Sequence, residues 1–256
     1  MTPLLKSERH KRIRRVIEDS GQATVAELSV IFGVSEATIR RDLEELDKLG
    51  WVQREHGGAL RASLSITEPP VLQRVAEQES EKRRIGRAAA ELVEDGETIF
   101  LGSGTTTLEV ARNLGGREDL TVISNALNIA TELLNHEGIT QIVIGGLLRP
   151  SELSLVGHIT EQAIKELRAD KVFVGMRAID VQHGLTSDYL PEVMTDRAII
   201  EFGSEVILVA DHTKFGRVAN AFVAPVTSVD MIVTDENVPN ATLRELEELG
   251  IKIIVV

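Results

Sequence analysis

The chain has 256 residues, 43% of them hydrophobic and 27% charged, with a net charge of −12 and no cysteine. That length fits two modest domains, and the missing cysteines exclude disulfides, thiolate metal sites and a cysteine nucleophile. No apolar run approaches the roughly 20 residues that cross a bilayer. Residues 1–15 are polar and basic, so neither a leader nor a membrane partner is expected and the address is read as cytoplasmic. Aromatics are only 3%, which calls for an aliphatic core of the kind that buried parallel strands build.

The charge is unevenly placed. Residues 1–60 balance ten basic against ten acidic side chains, so the whole −12 lies in the remainder. Lys6, Arg9, Lys11, Arg12, Arg14 and Arg15 crowd one stretch opposed only by Glu8, which suits phosphate contact as well as a solvated helix face.

Three helical patterns open the chain. Residues 9–19 place Ile13, Val16 and Ile17 on one face. Thr24 can cap a short helix carrying Val25, Leu28 and Ile31. Gly33 turns the chain, and Ser35 is a good N-cap for a helix over 36–49. This is a helix-turn-helix pattern. In its last helix Ile39, Leu43 and Leu46 form an apolar stripe. Ala37, Arg41 and Lys48 fall opposite, flanked by Thr38 and Arg40. Small side chains beside arginines suit a major groove, where arginine forks onto guanine O6 and N7. Gly50 ends the helix, and a strand over 51–54 leads into His56-Gly57-Gly58. A Gly-Gly turn fits a β-wing with Arg54 and His56 near phosphate.

Periodicity is lost over 61–70, which ends in Pro69-Pro70. The expected organisation is a DNA-binding domain over 1–60, a linker over 61–70, and a domain for effector sensing and oligomerisation over 71–256. The last begins with a long charged helix over 71–94, whose apolar face is Ile85, Ala88, Ala89 and Leu92. Short aliphatic strands follow at 98–101, 120–123, 141–144, 171–174, 206–210, 231–234 and 251–255. Helices over 108–113, 126–134, 159–167, 193–202 and 241–249 separate most of them. Such alternation predicts a mostly parallel α/β sheet.

Ligands bind such sheets at the carboxyl ends of the strands. There the chain reads Gly102-Ser103-Gly104-Thr105-Thr106-Thr107, Ser124-Asn125, Gly145-Gly146, Gly175 and Asp211-His212-Thr213-Lys214. A Gly-Ser-Gly-Thr-Thr-Thr loop entering a helix can aim amides and hydroxyls at an anion. On the residues alone it serves equally as a plain strand-to-helix turn, and it is neither a Walker loop nor a dinucleotide fingerprint.

The run Val-Ser-x-x-Thr-Ile-Arg-Arg-Asp-Leu from Val34 to Leu43, followed by Leu46, Gly50, Arg54 and His56-Gly57-Gly58-Ala59, resembles the N-terminal module of the DeoR family of bacterial regulators. "DGETIFLGSGTTTLEVAR" (95–112), "LTVISNALNIA" (120–130) and "ADHTKFGR" (210–217) resemble its effector domain. The resemblance implies a winged helix-turn-helix binding double-stranded operator DNA through Ser35, Ala37, Thr38, Arg40, Arg41, Arg54, His56 and Gly57. It also implies a domain resembling ribose-5-phosphate isomerase that senses a phosphorylated sugar. There Ser103, Gly104, Thr105, Thr106 and Thr107 would hold the phosphate, Lys214 would approach it, and Asn125, Gly146 and Asp211 would line the rest. A homo-oligomer without cofactor, repressing genes of sugar metabolism, is the expectation. Two positions depart from the family pattern: Gly102 where many relatives have Asp, and Asp196 where relatives often have lysine.

Two alternatives stay open. Glu192, Asp211 and Lys214 could in principle serve as base and electrophile in an isomerase fused to a DNA-binding module, although no residue set demands a reaction. An architectural DNA-binding protein without effector would leave the strand-end loops without purpose. The six histidines show no i, i+4 pair, so no metal site is expected.

Overall fold

The computed structural model describes the chain apart from residues 1–5, 21, 49–51, 56, 62–68 and 135. It divides into two units, Met1–Thr67 and Glu68–Val256. The predicted Gly50, Trp51 and His56 positions, and residues 62–68 of the predicted linker, lie outside the described residues.

The first unit runs α1 (Lys6–Ser20), β1 (Gln22–Thr24), α2 (Val25–Phe32), α3 (Glu36–Lys48), β2 (Val52–Glu55) and β3 (Gly58–Arg61). Local chemistry sets each boundary. Thr24 and Glu27 form a reciprocal capping box: the Glu27 N–H donates to Thr24 Oγ1 at 3.2 Å, and the Thr24 N–H donates to Glu27 Oε2 at 2.8 Å. Gly33 ends α2 at φ +62°, a left-handed conformation suited to glycine. Ser35 then caps α3 by accepting the Thr38 N–H at 3.2 Å. Ile13, Ile17, Leu28, Ile39, Leu43 and Leu46 close the core at 0–1% exposure. Ile31, read as part of that face, is 55% exposed; α2 is only eight residues long and turns Phe32 inward instead. The wing is a hairpin, β2 against β3, and β1 adds along the other edge of β3. A Cβ on Gly58 would stand 2.5 Å from the Ala23 carbonyl oxygen, so β1 can pair there only against glycine.

One ion cluster joins α1 to α3. Arg9 forks onto Asp42, with Nε to Oδ2 at 2.6 Å and Nη2 to Oδ1 at 3.0 Å. His10 Nε2 lies 3.0 Å from Oδ1 of the same carboxylate. Burial by itself would push the Asp42 carboxyl up, but the hydrogen bonds from Arg9 and His10 outweigh it and hold the group below the usual carboxylate range. The reading of Arg9 as a phosphate contact is therefore corrected, because its guanidinium is committed inside the unit. Lys6 likewise reaches Glu45, at 2.7 Å.

The second unit begins with α4 (Val71–Arg74) and α5 (Glu79–Ala90). These replace the single helix expected over 71–94. Gln78 adopts φ +47° between them, and Arg74 is held by Glu152 far along the chain. The main run follows: β4 (Thr98–Leu101), α6 (Thr105–Arg112), β5 (Leu120–Ser124), α7 (Leu127–Leu133) and β6 (Ile139–Val143). After it come β7 (Leu147–Arg149), β8 (Ser154–Val156), α8 (His158–Lys165), β9 (Ala169–Val174), β10 (Ala178–Asp180) and β11 (Gly184–Ser187). The chain ends with α9 (Leu190–Phe202), β12 (Gly203–Val209), β13 (Ala221–Ala224), β14 (Met231–Thr234), α10 (Asn240–Glu248) and β15 (Lys252–Val255).

Seven strands form one parallel sheet in the order β15-β14-β12-β9-β4-β5-β6. Its strands alternate side chains between two buried faces. Phe100, Val172, Leu208 and Ile232 pack with α8, α9 and α10, while Ile99, Leu101, Phe173 and Ile207 pack with α5, α6 and α7. Burial on both faces explains why these strands read as aliphatic runs. The β7–β8 hairpin and the small antiparallel sheet β10-β11-β13 were not anticipated, being three- and four-residue strands without usable periodicity. No helix among the described residues is long and apolar enough to cross a membrane.

Two outcomes are expected. Asp42→Ala removes the buried carboxylate that Arg9 forks onto and should destabilise the first unit by about 3–5 kcal/mol in urea unfolding. Because the folded Asp42 carboxyl ionises below its unfolded value of about 3.9, its contribution is complete above that pH and is lost as pH falls through the folded value. The gap between wild type and Asp42→Ala should therefore narrow below about pH 4; a gap independent of pH would rule out the ion pair as its source. Gly86 lets α5 cross α6 at backbone distance, since a Cβ there would stand 2.4 Å from the Glu109 Cβ. Gly86→Val should cost about 1–3 kcal/mol through overpacking, read as a lowered melting temperature of the second unit.

Candidate functional site

The exposed side of α3 is set by its buried side. With Ile39, Leu43 and Leu46 inward, Ser35, Ala37, Arg40 and Arg41 are exposed and Thr38 is half-buried. Arg40 is paired with Glu36 one turn back at 2.8 Å, both ends solvated. Arg41 has no ion pair among the described residues. The wing presents an exposed Arg54, whose N–H donates to Asp47 at 3.0 Å, and Gly57 at φ +93°. The Gly57 carbonyl accepts the Val25 N–H at 2.9 Å and ties the wing tip to the start of α2. Arg9 and Lys6 do not join this surface as free cations.

In the second unit, the parallel sheet brings the expected strand-end residues to one edge. Chain order runs outward from β4 through β5 to β6, and in the other direction through β9, β12, β14 and β15. The topological switch therefore lies between β4 and β9, where a crevice opens beyond the carboxyl ends. The loop Gly102-Ser103-Gly104 leaves β4 there, with the Gly102 N–H bonded to the Phe173 carbonyl on β9 at 2.9 Å. Gly104 turns at φ +139° and starts α6, and no side chain caps that helix. The first intrahelical bond is from the Leu108 N–H to the Gly104 carbonyl, 3.3 Å. The amides of Thr105, Thr106 and Thr107 precede it and have no intrahelical acceptor. Three N–H groups and the positive end of a helix dipole therefore meet the crevice.

Asp211 and Lys214 enter from β12. Asp211 is 1% exposed and caps a short 3₁₀ turn, His212–Lys214, accepting the Thr213 N–H at 2.9 Å and the Thr213 hydroxyl. Asn125 follows β5 and donates through Nδ2 to the Leu155 carbonyl at 3.0 Å. Gly146 has a packing reason for being glycine, since a Cβ would stand 2.1 Å from Thr160 Oγ1.

Several residues of this edge were missed. Lys82 is 4% exposed, donates to the Arg74 carbonyl at 2.8 Å, and lies within the electrostatic reach of Asp211 and Lys214. Burial foremost pulls its ammonium pKa down. Arg74 donates to the Pro69 carbonyl at 2.8 Å and pairs with Glu152. Arg149 pairs with Glu192 and sits 4.2 Å from the Tyr189 ring centroid, while Glu192 accepts the Ser154 hydroxyl at 2.8 Å. A signal for Lys82 existed: it continues the stripe of Ile85, Gly86 and Ala89 on α5, where a charge is out of place. Arg149, Glu152 and Ser154 had none, because the β7–β8 hairpin that carries them was not legible. A separate depression lined by Ser204, Thr227, Asp230 and Lys252 lies at the amino ends of β12, β14 and β15, away from this chemistry.

Comparison with known proteins agrees with both units. Residues 9–64 match the family described as DeoR-like helix-turn-helix domain, and residues 77–236 match the DeoR C terminal sensor domain. The glycerol-3-phosphate regulon repressor of Escherichia coli K12 is 36% identical over 248 residues, covering 97% of this chain and 98% of that protein. The transcriptional repressor AccR of Agrobacterium fabrum is 35% identical over 249 residues, covering 97% and 96%. Among solved structures, the ribose 5-phosphate isomerase of Methanocaldococcus jannaschii aligns over 54% of this chain and 55% of its own, with a TM-score of 0.41 and 18% identity. With both of its units matched and full-length relatives above 30% identity, the chain belongs to the DeoR family of transcriptional regulators.

Proposed function

We propose that this chain is a cytoplasmic repressor of genes of sugar metabolism, released from its operator by a phosphorylated sugar, and that it does not catalyse a reaction. The observation that carries the effector reading is the unsatisfied first turn of α6 at the sheet's switch point, together with two lysines near Asp211. The names of the relatives, one of them a glycerol-3-phosphate regulon repressor, support the same ligand class. In this reading the amides and hydroxyls of Ser103, Gly104, Thr105, Thr106 and Thr107 hold the phosphate. Lys82 and Lys214 neutralise it, and Asn125, Gly146 and Asp211 border the sugar.

On DNA, Ala37, Thr38 and Arg41 face the base edges of a major groove. Ser35, Arg40, Arg54 and Gly57 lie toward phosphates, with His56 assigned there from sequence alone. Two copies of the chain would set paired α3 helices one helical turn of DNA apart, about 34 Å or a multiple. Release follows if the effector binds the DNA-incompetent arrangement more tightly and shifts the population. Arg74 is the natural relay: its carbonyl holds Lys82, its guanidinium holds Glu152 and the Pro69 carbonyl. A phosphate drawing on Lys82 would act on the chain where it enters this unit.

Arg41→Ala should weaken operator binding by about 1–3 kcal/mol and relax base preference at one position; unchanged affinity in a mobility-shift titration would remove α3 from the base-reading role. For the effector, thermal unfolding of the full chain against a panel of sugar phosphates and the parent sugars is the direct test. A ligand at 100 times its Kd adds about 2.7 kcal/mol, so one phosphorylated member should raise Tm by several degrees and lower DNA affinity. Lys82→Met should abolish that rise while leaving operator binding intact. A Tm insensitive to every member would take down the phosphate reading of the Ser103 loop and favour a DNA-binding protein without effector.

A further inference from the structure

We propose that the outer edge of β6, with the exposed stripe of α7 beside it, joins two copies of this chain, β6 pairing antiparallel with the β6 of a second copy across a twofold axis. The inference deepens the reading above, in which two copies meet the operator, by naming the surface that unites them. It does not depend on the effector.

β6 (Ile139–Val143) ends the seven-stranded sheet, and among the described residues no strand lies on its outer side. A strand in that position turns a row of N–H and C=O groups outward, which is a template for one more strand. Sheets blunt such edges with a charge, a proline or a cover. Two other edges of the same unit are blunted in this way. At the far end of the sheet, β15 carries an exposed Lys252. In the small sheet, the outer strand β13 is covered from α9: Arg197 donates through Nε to the Val223 carbonyl at 2.9 Å and through Nη2 to the Phe222 carbonyl at 2.7 Å. β6 has neither device. Its sequence, Ile-Thr-Gln-Ile-Val, holds no charge and no proline, and Thr140 and Val143 are exposed.

The surface beside this edge is apolar as well. α7 packs against β6. Its Ile129 and Leu133 are buried, whereas Leu127, Thr131 and Leu134 are exposed at the i, i+4, i+7 spacing of one helix face. Leu134 is 75% exposed. The charged residue of α7, Glu132, is met by Arg112 at 3.4 Å. Charge also selects the occupant. The whole net charge of −12 lies beyond residue 60, yet residues 138–148 contain no charged side chain. A twofold interface sets one patch against its own copy, so an acidic unit is self-complementary only where it is neutral. A basic partner would be drawn to the acidic faces and would find nothing to pair with here. With Gln141 on the axis, Ile139 stands opposite the partner's Val143, and the two sheets run on as one.

The test is sedimentation velocity of the full-length protein, joined to site-directed cross-linking. Wild type should sediment as a dimer or a larger even assembly. Thr140→Lys combined with Val143→Lys places like charges on two exposed positions of the edge and should halve the mass, with the circular dichroism spectrum checking the fold. The chain has no cysteine, so Gln141→Cys supplies a single thiol. A short bis-maleimide should convert that variant to a covalent dimer, and should leave Val255→Cys, on the exposed outer strand β15, as single chains. This arm keeps the proposal testable if the lysine variant misfolds. Wild-type protein that stays monomeric at every concentration overturns the proposal. A lysine variant that keeps its fold and its full mass overturns it too, and leaves the two-copy reading standing with another surface. Cross-linking through Val255→Cys in place of Gln141→Cys overturns it in favour of the opposite edge. Counting the chains bound per operator separates failure of the two-copy reading itself.

Discussion

A parallel sheet must send every strand in the same direction, and that requirement organises the second unit. Each strand ends on one edge, each following helix begins there, and the edge collects unpaired amides and the positive ends of helix dipoles. The crossover between β4 and β9 opens that edge. Ser103, Asn125 and Asp211 each follow a strand at that edge, although more than 100 residues separate the first from the last.

Side chains then set the charge along that edge. Charges near it occur in compensated sets: Arg74 with Glu152, and Arg149 with Glu192. A buried charge without a partner is costly, so each such pair constrains the elements that carry it. The same rule acts in the first unit, where Asp42 gathers Arg9 and His10 and fixes α1 on α3. It is the same Asp that follows the Arg40-Arg41 pair in the motif. One carboxylate on the inner side of α3 thus helps hold the helix whose outer side exposes Arg40 and Arg41. The net charge of −12 does not oppose this, since the first 60 residues are neutral and the excess belongs to the other unit.

The hairpin β7–β8 and the short helix α4 were the elements least visible beforehand, and they carry members of the ion pairs Arg74–Glu152 and Arg149–Glu192. Val71 donates to the Ser151 carbonyl at 2.7 Å, so α4 is fastened to the hairpin turn by backbone as well as by Arg74 and Glu152. The break at Gln78 is a consequence. A continuous helix through residues 71–90 would carry Arg74 on the helical course set by α5, and tertiary pairing overrides the local preference.

Much of the molecule was nonetheless written locally. Thr24, Gly33 and Ser35 specify helix ends through hydrogen bonds spanning a few residues, and the stripe of Ile39, Leu43 and Leu46 specifies which side of α3 is left outward. The aliphatic runs specify a doubly covered parallel sheet, because such runs fit no half-solvated strand. These features were legible because each depends on neighbours within one or two turns of chain. The tertiary structure alone decided that Arg9 serves Asp42, that Arg74 pairs with Glu152 and that Arg149 pairs with Glu192. Charged side chains carry no periodic signal that says which partner, 30 or 80 residues away, will neutralise them. Only the packed fold brings them within Coulombic reach, and there burial makes the pairing matter.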